Sequence, residues 1–387
     1  MHEYDVVVVG ARAAGAATAV LLARQGLRVL LVDRDRYGAD TLSTHALMRG
    51  SVLLMSQWGL LERIVAAGTP AIRQTKFHYG ADTMTVTLKP TMGVEALFAP
   101  RRTVLDSALA DAAAAAGAEV RFGVTVTGLL RDRTGRVTGI SGHDRTGAAV
   151  TARSWLTVGA DGTKSVVARE SGAATIRVGT GAGAIVYGYW SDLAVDGYEW
   201  FYRPGHSAGM IPTNAGEVCV FAGVGAADFT DYMRGDLDGA YRRMLEAATG
   251  GAGGRLAAAR SPDRLRTWVG RPSFIRQAHG AGWALVGDAG FFLDPLSTHG
   301  ITDALRDAEL LARSLAECGQ PDGLGTALAR FAGDRDLVAG SLFGIVDRIA
   351  SYRWDLTELR HSLLELSSAM SEEVELIAAA RGLRVPS

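Results

Sequence analysis

Val6-Val7-Val8-Val9 is an unbroken β-branched run, the pattern of a strand buried on both faces. A turn from Gly10 to Gly15 follows, then an alanine- and leucine-rich helix from Ala16 to Gln25 that ends at Gly26. Arg28 to Val32 is the next strand, with Asp33 at its end, so the first elements form a βαβ unit with a right-handed crossover. Leu47 to Ala67 reads as one or two helices. Thr75 to Leu88 reads as a strand pair around Gly80 to Asp82, Val104 to Ala116 as a helix and Glu119 to Phe122 as a strand. Polar hairpin turns fall at Asp132 to Gly135 and Asp144 to Gly147, and Leu156 to Ala160 is a second buried strand. Ala184 to Val224 predicts an antiparallel meander turning near Asp196-Gly197, Pro204-Gly205 and Asn214 to Gly216. Gly250 to Gly254 predicts a loop. Ala284 to Val286 predicts a last parallel strand, followed by a loop and a helix from Gly300. From Phe331 the pattern is helical, and no internal repeat is visible.

These elements predict an α/β chain: a doubly wound, Rossmann-like domain with an antiparallel sheet inserted in it. The expected boundaries are 1–72, 99–180 and 260–330 for the doubly wound domain, 73–98 and 181–259 for the sheet, and 331–387 for a C-terminal helical segment. The amphipathic C-terminal helices carry Leu337, Leu342, Phe343, Val346 and Ile349, and Trp354 is large for a surface position. A lid, a cap and a subunit contact are equally open, so the chain is read as a monomer or a homodimer.

Composition narrows the function classes. The 387 residues carry 40 basic and 41 acidic side chains, a net charge of −1, which demands no basic face and argues against nucleic acid as a partner. Cys219 and Cys318 are far apart and form no metal-spaced pair, so they read as ordinary thiols, with no metal and a reducing cytoplasm as the expected setting. The apolar run at the N-terminus is too short for a signal peptide or a membrane span.

Gly10-Ala11-Arg12-Ala13-Ala14-Gly15 occupies the strand-to-helix turn, where backbone N–H groups and the helix dipole receive a pyrophosphate. Gly10 permits the tight turn, and Gly15 lets helix and strand approach. Asp33, with Arg34 beside it, stands 18 residues after Gly15, where a carboxylate accepts hydrogen bonds from a ribose. The middle glycine of the usual fingerprint is replaced by Arg12, which either points away from the phosphates or touches them. The turn by itself does not distinguish FAD from NAD.

Two further motifs end buried strands: Gly159-Ala160-Asp161-Gly162 and Val286-Gly287-Asp288-Ala289. With the glycine-rich turn they occur in the order of the FAD-dependent monooxygenases of the p-hydroxybenzoate hydroxylase fold, which the chain resembles over roughly residues 1–330. Geranylgeranyl reductases and flavin halogenases share that core more distantly, and the Gly-Trp-x-Trp-x-Ile-Pro signature of the halogenases is absent. The resemblance implies that Asp288 meets the ribityl chain, that Gly287 gives it room, and that Asp161 lies toward the pyrophosphate, often indirectly. It also implies that Arg49 and Arg102 bind the cofactor, with Arg101 as competitor to Arg102, and that the backbone at Val126 meets the adenine. Each arginine is otherwise an ordinary solvated charge.

The resemblance places the loop Asp294 to Thr302 beside the flavin ring, with Pro295 and Gly300 at the positions the family holds. Free N–H groups at Gly300, Ile301 and Thr302 would stabilise charge on a reduced flavin. His299 departs from the family pattern. With His45, it is a candidate to face the ring and move a proton, or else a hydrogen-bonded structural histidine. Alternation places Tyr198, Trp200 and Tyr202 on one strand face and Tyr187 and Tyr189 on another. With Met210 and Pro212, these residues either roof a pocket for a planar or polycyclic substrate or simply pack the sheet. The family takes electrons from NADPH or NADH and uses molecular oxygen to hydroxylate or epoxidise an aromatic or polycyclic small molecule through a flavin hydroperoxide. The alternatives are a reductase of the geranylgeranyl reductase type, which incorporates no oxygen, and a flavin-binding protein without turnover.

Overall fold

The computed structural model describes residues 3–233, 235–316 and 321–381. Cys318 and the last six residues lie outside them. The chain opens with β1 (Val6–Val9), α1 (Ala13–Arg24), β2 (Val29–Asp33), α2 (Arg49–Gln57) and α3 (Leu61–Ala66). The hairpin β3 (Gln74–Tyr79) and β4 (Asp82–Thr87) follows, then α4 (Arg102–Ala115) and β5 (Glu119–Phe122). Next come β6 (Thr125–Arg131), β7 (Val137–His143), β8 (Ala149–Arg153), β9 (Leu156–Gly159), α5 (Val166–Ser171) and β10 (Thr175–Val178). The inserted region holds β11 (Gly183–Trp190), β12 (Tyr198–Arg203), β13 (His206–Pro212), β14 (Val218–Gly225), α6 (Phe229–Tyr232) and α7 (Leu237–Thr249). The chain returns through β15 (Arg266–Val269), β16 (Phe274–Arg276), β17 (His279–Gly280), β18 (Trp283–Leu285) and β19 (Phe291–Phe292), and ends with α8 (Gly300–Ala316), α9 (Leu324–Ala350) and α10 (Leu356–Ala380).

The central sheet has the order β17-β18-β9-β1-β2-β5, parallel from β18 to β5. All four residues of β1 are buried, as its run of valines predicts for a strand covered on both faces. The three strands predicted to end in ligand motifs, β1, β9 and β18, are adjacent, so their C-terminal turns share one edge of the sheet.

The second sheet runs β15-β11-β14-β13-β12-β3-β4. It departs from a simple meander: β11 pairs with β14 rather than with its neighbour in sequence, and β12 runs parallel to β3. It also takes in β15, so the segment expected to return to the doubly wound domain at residue 260 first contributes a strand here. One face of the sheet packs on α7, which the hydrophobic pattern did not announce, through Met210, Val220, Tyr241 and Met244. The other face belongs to the main core, with Ile185, Tyr187, Tyr198, Trp200 and Phe221.

The C-terminal helices cap this same molecule. In the connection between α9 and α10, Tyr352 and Trp354 are buried, with Tyr352 Oη 2.8 Å from Ser207 Oγ and the Trp354 ring 6.4 Å from that of Tyr202. Among the described residues, no helix is long and apolar enough to cross a membrane.

Candidate active site

Three turns meet at the edge of the central sheet. Gly10 has φ +103°, and a Cβ there would press on the Ala160 carbonyl and lie 3.1 Å from Asp161 Cα. A Cβ on Gly15 would overlap the Gly10 carbonyl oxygen. Gly287 has φ +56°, and its Cβ would lie 2.9 Å from that of Ala14. The motif residues therefore touch one another although the sequence separates them widely.

The N-terminus of α1 is uncapped: Arg12 is the N-cap without a side-chain bond, and no acidic residue stands in the first turn. Its first intrahelical bond runs from Ala16 N–H to Arg12 O, which leaves the N–H groups of Ala13, Ala14 and Gly15 without helical partners. Arg12 reaches Asp35 at 2.9 Å, while its buried Nη1 has no partner among the described residues. Asp33 accepts from the N–H groups of Ala11 (2.7 Å) and Asp35 (2.8 Å). Ala11, Arg12, Asp33, Tyr37, Asp106 and Phe122 line a groove here. Arg34 is exposed and does not line it; Arg36 does. The Val126 side chain is buried in the core behind the central sheet with Val7 and Val137.

Asp161 is a structural carboxylate. Ser165 Oγ donates to it at 2.5 Å and the Val166 N–H at 2.6 Å, so it holds the start of α5 and shapes the turn instead of facing a ligand directly. Asp288 differs: it is half-buried and accepts no hydrogen bond among the described residues. Burial and the nearby Asp303 and Asp307 push its pKa up to about 7, against the opposing Arg102 guanidinium. Arg102 is held by Asp106 at 2.9 Å, and the second carboxylate oxygen of Asp106 is buried without a partner.

A raised carboxylate pKa stabilises the fold fully only below the ordinary value near 4, and this contribution is lost as pH rises through about 7. Asp288→Asn is therefore expected to raise the melting temperature of cofactor-free protein at pH 8 and to leave it unchanged near pH 4. A thermal scan at both values checks this, and equal shifts would contradict it.

The loop before α8 starts at Asp294, which accepts from the N–H groups of Gly183 (2.8 Å) and Leu296 (3.0 Å). Pro295 opens a single 3-10 turn, and Thr298 has φ +52°. The first helical bond of α8 runs from Asp303 N–H to His299 O, leaving the N–H groups of Gly300, Ile301 and Thr302 without helical partners, as predicted. Gly50 at the start of α2 packs on Thr302, where a Cβ would come within 2.9 Å. Beside it Arg49 is half-buried and donates to the Lys89 carbonyl at 3.1 Å.

Of the two alternatives for His299, the hydrogen-bonded structural histidine is the one its contacts match. Its ring is turned into the protein, with Nε2 2.5 Å from Glu373 Oε2 on α10. Arg306 bonds Asp303 (2.5 Å), Glu373 (2.8 Å) and Asp307 (3.0 Å), and Asp307 accepts the Gly287 N–H at 2.9 Å. A continuous buried network thus joins the turn at Gly287 to the turn at His299. Burial would lower the His299 pKa, but Glu373 and Asp303 outweigh it and raise it, while His299 and Arg306 hold Glu373 down at about 2.

His45 is in the left-handed region at φ +50° and is 1% exposed. Its Nε2 lies 3.1 Å from Tyr189 Oη, and the two rings stack at 5.7 Å. Burial, then the charges of Arg101, Arg102 and Arg266, push its pKa down to about 3, so the ring is neutral at physiological pH. Tyr187 Oη accepts the Ser43 N–H at 3.0 Å. Tyr187, Tyr189, Trp200 and Tyr202 all lie on the inner sheet face, and Gly209 makes room there for Trp200 and Phe221. Met210 is on the opposite face against α7, and strand alternation puts Pro212 with it, so neither lines this side.

The cradle fits an extended flavin dinucleotide: three glycines where a Cβ would clash, an uncapped helix N-terminus, a buried unpaired guanidinium nitrogen and the free carboxylate of Asp288. A family model described as an FAD binding domain matches residues 3–343. The chain belongs to this FAD-binding family and is an FAD-dependent oxidoreductase. It is 29% identical over 330 residues to a digeranylgeranylglycerophospholipid reductase of Methanocella arvoryzae, covering 82% of this chain and 78% of that protein. It is 30% identical over 347 residues to the menaquinone reductase of Mycolicibacterium smegmatis, again covering 82% and 78%. A rifampicin monooxygenase of Streptomyces venezuelae matches 171 residues at 29% identity, 44% of this chain and 34% of that one. Among solved structures, PqsL of Pseudomonas aeruginosa, a probable FAD-dependent monooxygenase, superposes with a TM-score of 0.78 at 18% identity over 93% of this chain and 99% of its own. The myxobacterial chondrochloren halogenase CndH does so at 0.74 and 21% over 99% and 98%, so both share the fold.

Proposed function

We propose that this FAD-dependent oxidoreductase draws electrons from NADPH or NADH and reduces a double bond in an apolar small molecule seated under the aromatic sheet face. The observation that carries the reading is the buried aromatic face of the second sheet, joined to the FAD domain through the His45–Tyr189 pair. Relatives matched over four fifths of this chain are reductases by name, which favours reduction over oxygen insertion.

FAD, when bound, supplies two-electron transfer. Its pyrophosphate would rest against the N–H groups of Ala13 to Gly15 at the α1 N-terminus, with Arg12, Arg49 and Arg102 balancing the charge. Asp33 and Asp288 would accept from ribose and ribityl hydroxyls, and the backbone at Val126 would meet the adenine. Pro295 and the N–H groups of Gly300 to Thr302 would border the ring. The aromatic face excludes water and orients an apolar substrate. Neutral His45 lies 3.1 Å from the Tyr189 hydroxyl, which burial keeps protonated, and its place on the inner sheet face makes Tyr189 Oη the proton donor of this reading.

A second reading, monooxygenation with molecular oxygen, is favoured by the motif order and by the partial match to the rifampicin enzyme. Turnover with quinone and polyisoprenoid candidates, deuterated nicotinamide, D2O and labelled oxygen separates the two. Reduction gives deuterium in the product and no oxygen label. Oxygen label in the product transfers the assignment to the monooxygenase reading, and flavin binding without turnover on any candidate would sink both. Tyr189→Phe is expected to lower kcat by about 100-fold if the hydroxyl supplies the proton, with flavin binding retained.

A further inference from the structure

We infer that a cleft at the rim of the aromatic sheet binds the phosphate group of a small-molecule ligand. The cleft, about 210 Å³, lies between the ends of β11 and β14, the N-terminus of α4 and the segment 260–266. Four arginines line it: Arg101, Arg260, Arg264 and Arg266. Two of them are fixed. Arg101 bonds Glu217 at 2.5 Å and Asp40 at 3.4 Å, and Arg266 bonds Asp40 at 2.6 Å. Both guanidinium groups stand over the Tyr189 ring, 3.5 and 5.3 Å from its centroid. The Arg101 Nε is buried with no hydrogen-bond partner among the described residues.

Arg260 and Arg264 complete the wall, are exposed, and pair with no carboxylate among the described residues. The acidic groups at the cleft are Glu217 and Asp263, with Asp40 behind it, and Glu217 and Asp40 are engaged by Arg101 and Arg266. Two exposed guanidinium forks therefore stand beside two fixed arginines, and the four arginines outnumber the three carboxylates at and behind the cleft, an arrangement that recognises a phosphate dianion through charge-assisted, bidentate hydrogen bonds. The wall ring, Tyr189, is the same side chain whose hydroxyl meets buried His45. A ligand held here by its phosphate would have its remainder at the edge of the aromatic face. That phosphate has two chemical sources: the 2′-phosphate of the reductant, or the headgroup of an apolar substrate. Binding does not depend on which reaction the enzyme performs, so the test stands apart from the proposed reduction.

The test uses flavin-loaded protein and calorimetry. One arm compares NADPH with NADH; the other compares octyl phosphate with octanol. In at least one arm the phosphate-bearing ligand is expected to bind about tenfold tighter or more, the scale of charge-assisted hydrogen bonds. In the double variant Arg260→Glu/Arg264→Glu that preference is expected to fall below about twofold, with the flavin spectrum and melting temperature unchanged. The milder Arg260→Gln/Arg264→Gln serves if charge reversal disturbs the fold. Loss of preference in the nicotinamide arm assigns the reductant, and loss in the octyl arm assigns a substrate headgroup. If neither arm shows a phosphate preference, or the double variants keep it, the inference is overturned.

Discussion

Arg306→Met is expected to destabilise the protein by about 3–5 kcal/mol, the scale of breaking a buried ion pair from one side. Arg306 is fully buried and bonds Asp303, Asp307 and Glu373, each at most 2% exposed. Methionine fills similar volume but leaves three buried carboxylates, with His299 as the remaining near countercharge of Asp303 and Glu373 and Arg335 that of Asp307. Their pKa values must then rise, so the loss is larger at pH 8 than at pH 5.5, where protonation relieves them. Denaturant unfolding at the two pH values reads this. Equal losses would mean that the network is held by packing alone. Because Asp307 also holds the Gly287 N–H and Glu373 holds His299, flavin affinity is expected to weaken in parallel. The network ties α10, at the far end of the chain, to the turns at Gly287 and His299.

Gly15→Ala is expected to give protein that folds but purifies with little flavin. The added Cβ overlaps the Gly10 carbonyl oxygen and sits 3.0 Å from Ala160 Cβ, so α1 must move away from the turn that it closes. Overpacking of this kind costs about 1–3 kcal/mol, and displacement of the uncapped N–H groups adds a direct loss, together at least about 100-fold in FAD affinity. The ratio of flavin to protein absorbance, with circular dichroism to verify the fold, measures it. Gly325→Ala is the control: it lies in α9 with no atom near its added Cβ, and should keep full flavin content and equal or greater stability. Retention of normal flavin content by Gly15→Ala would remove α1 from the cofactor site.

Short-range features were legible because local chemistry dictates them. The Val6–Val9 strand, the glycine turn and the free N–H groups at Gly300 to Thr302 all follow from residues within one turn of each other, whereas α1 begins at Ala13, three residues before the expected Ala16. The inward faces of Tyr187, Tyr189, Trp200 and Tyr202 follow from strand alternation, and the same rule puts Met210 and Pro212 on the outer face once the register is fixed. The register of β13 is set by its partner strands, so alternation along that strand alone leaves the face of Met210 and Pro212 open. The charged residues Asp303, Arg306 and Asp307, recurring at helical spacing inside the apolar α8, were the signal available for the buried network. Its key member, Glu373, carried none.

The sequence by itself determined the first βαβ unit and the turns that end β1, β9 and β18, because period and turn chemistry act over a few residues, and the order of those three motifs carried the resemblance that implied FAD. Only the tertiary structure decided what each side chain meets. It turned His299 toward Glu373, used Asp161 as the clasp of its own turn, left Asp288 free, folded Tyr352 and Trp354 onto the sheet and gathered four arginines at its rim. These outcomes depend on partners tens to hundreds of residues away, and a side chain's charge, exposure and proton affinity are set by those partners rather than by its neighbours in the chain.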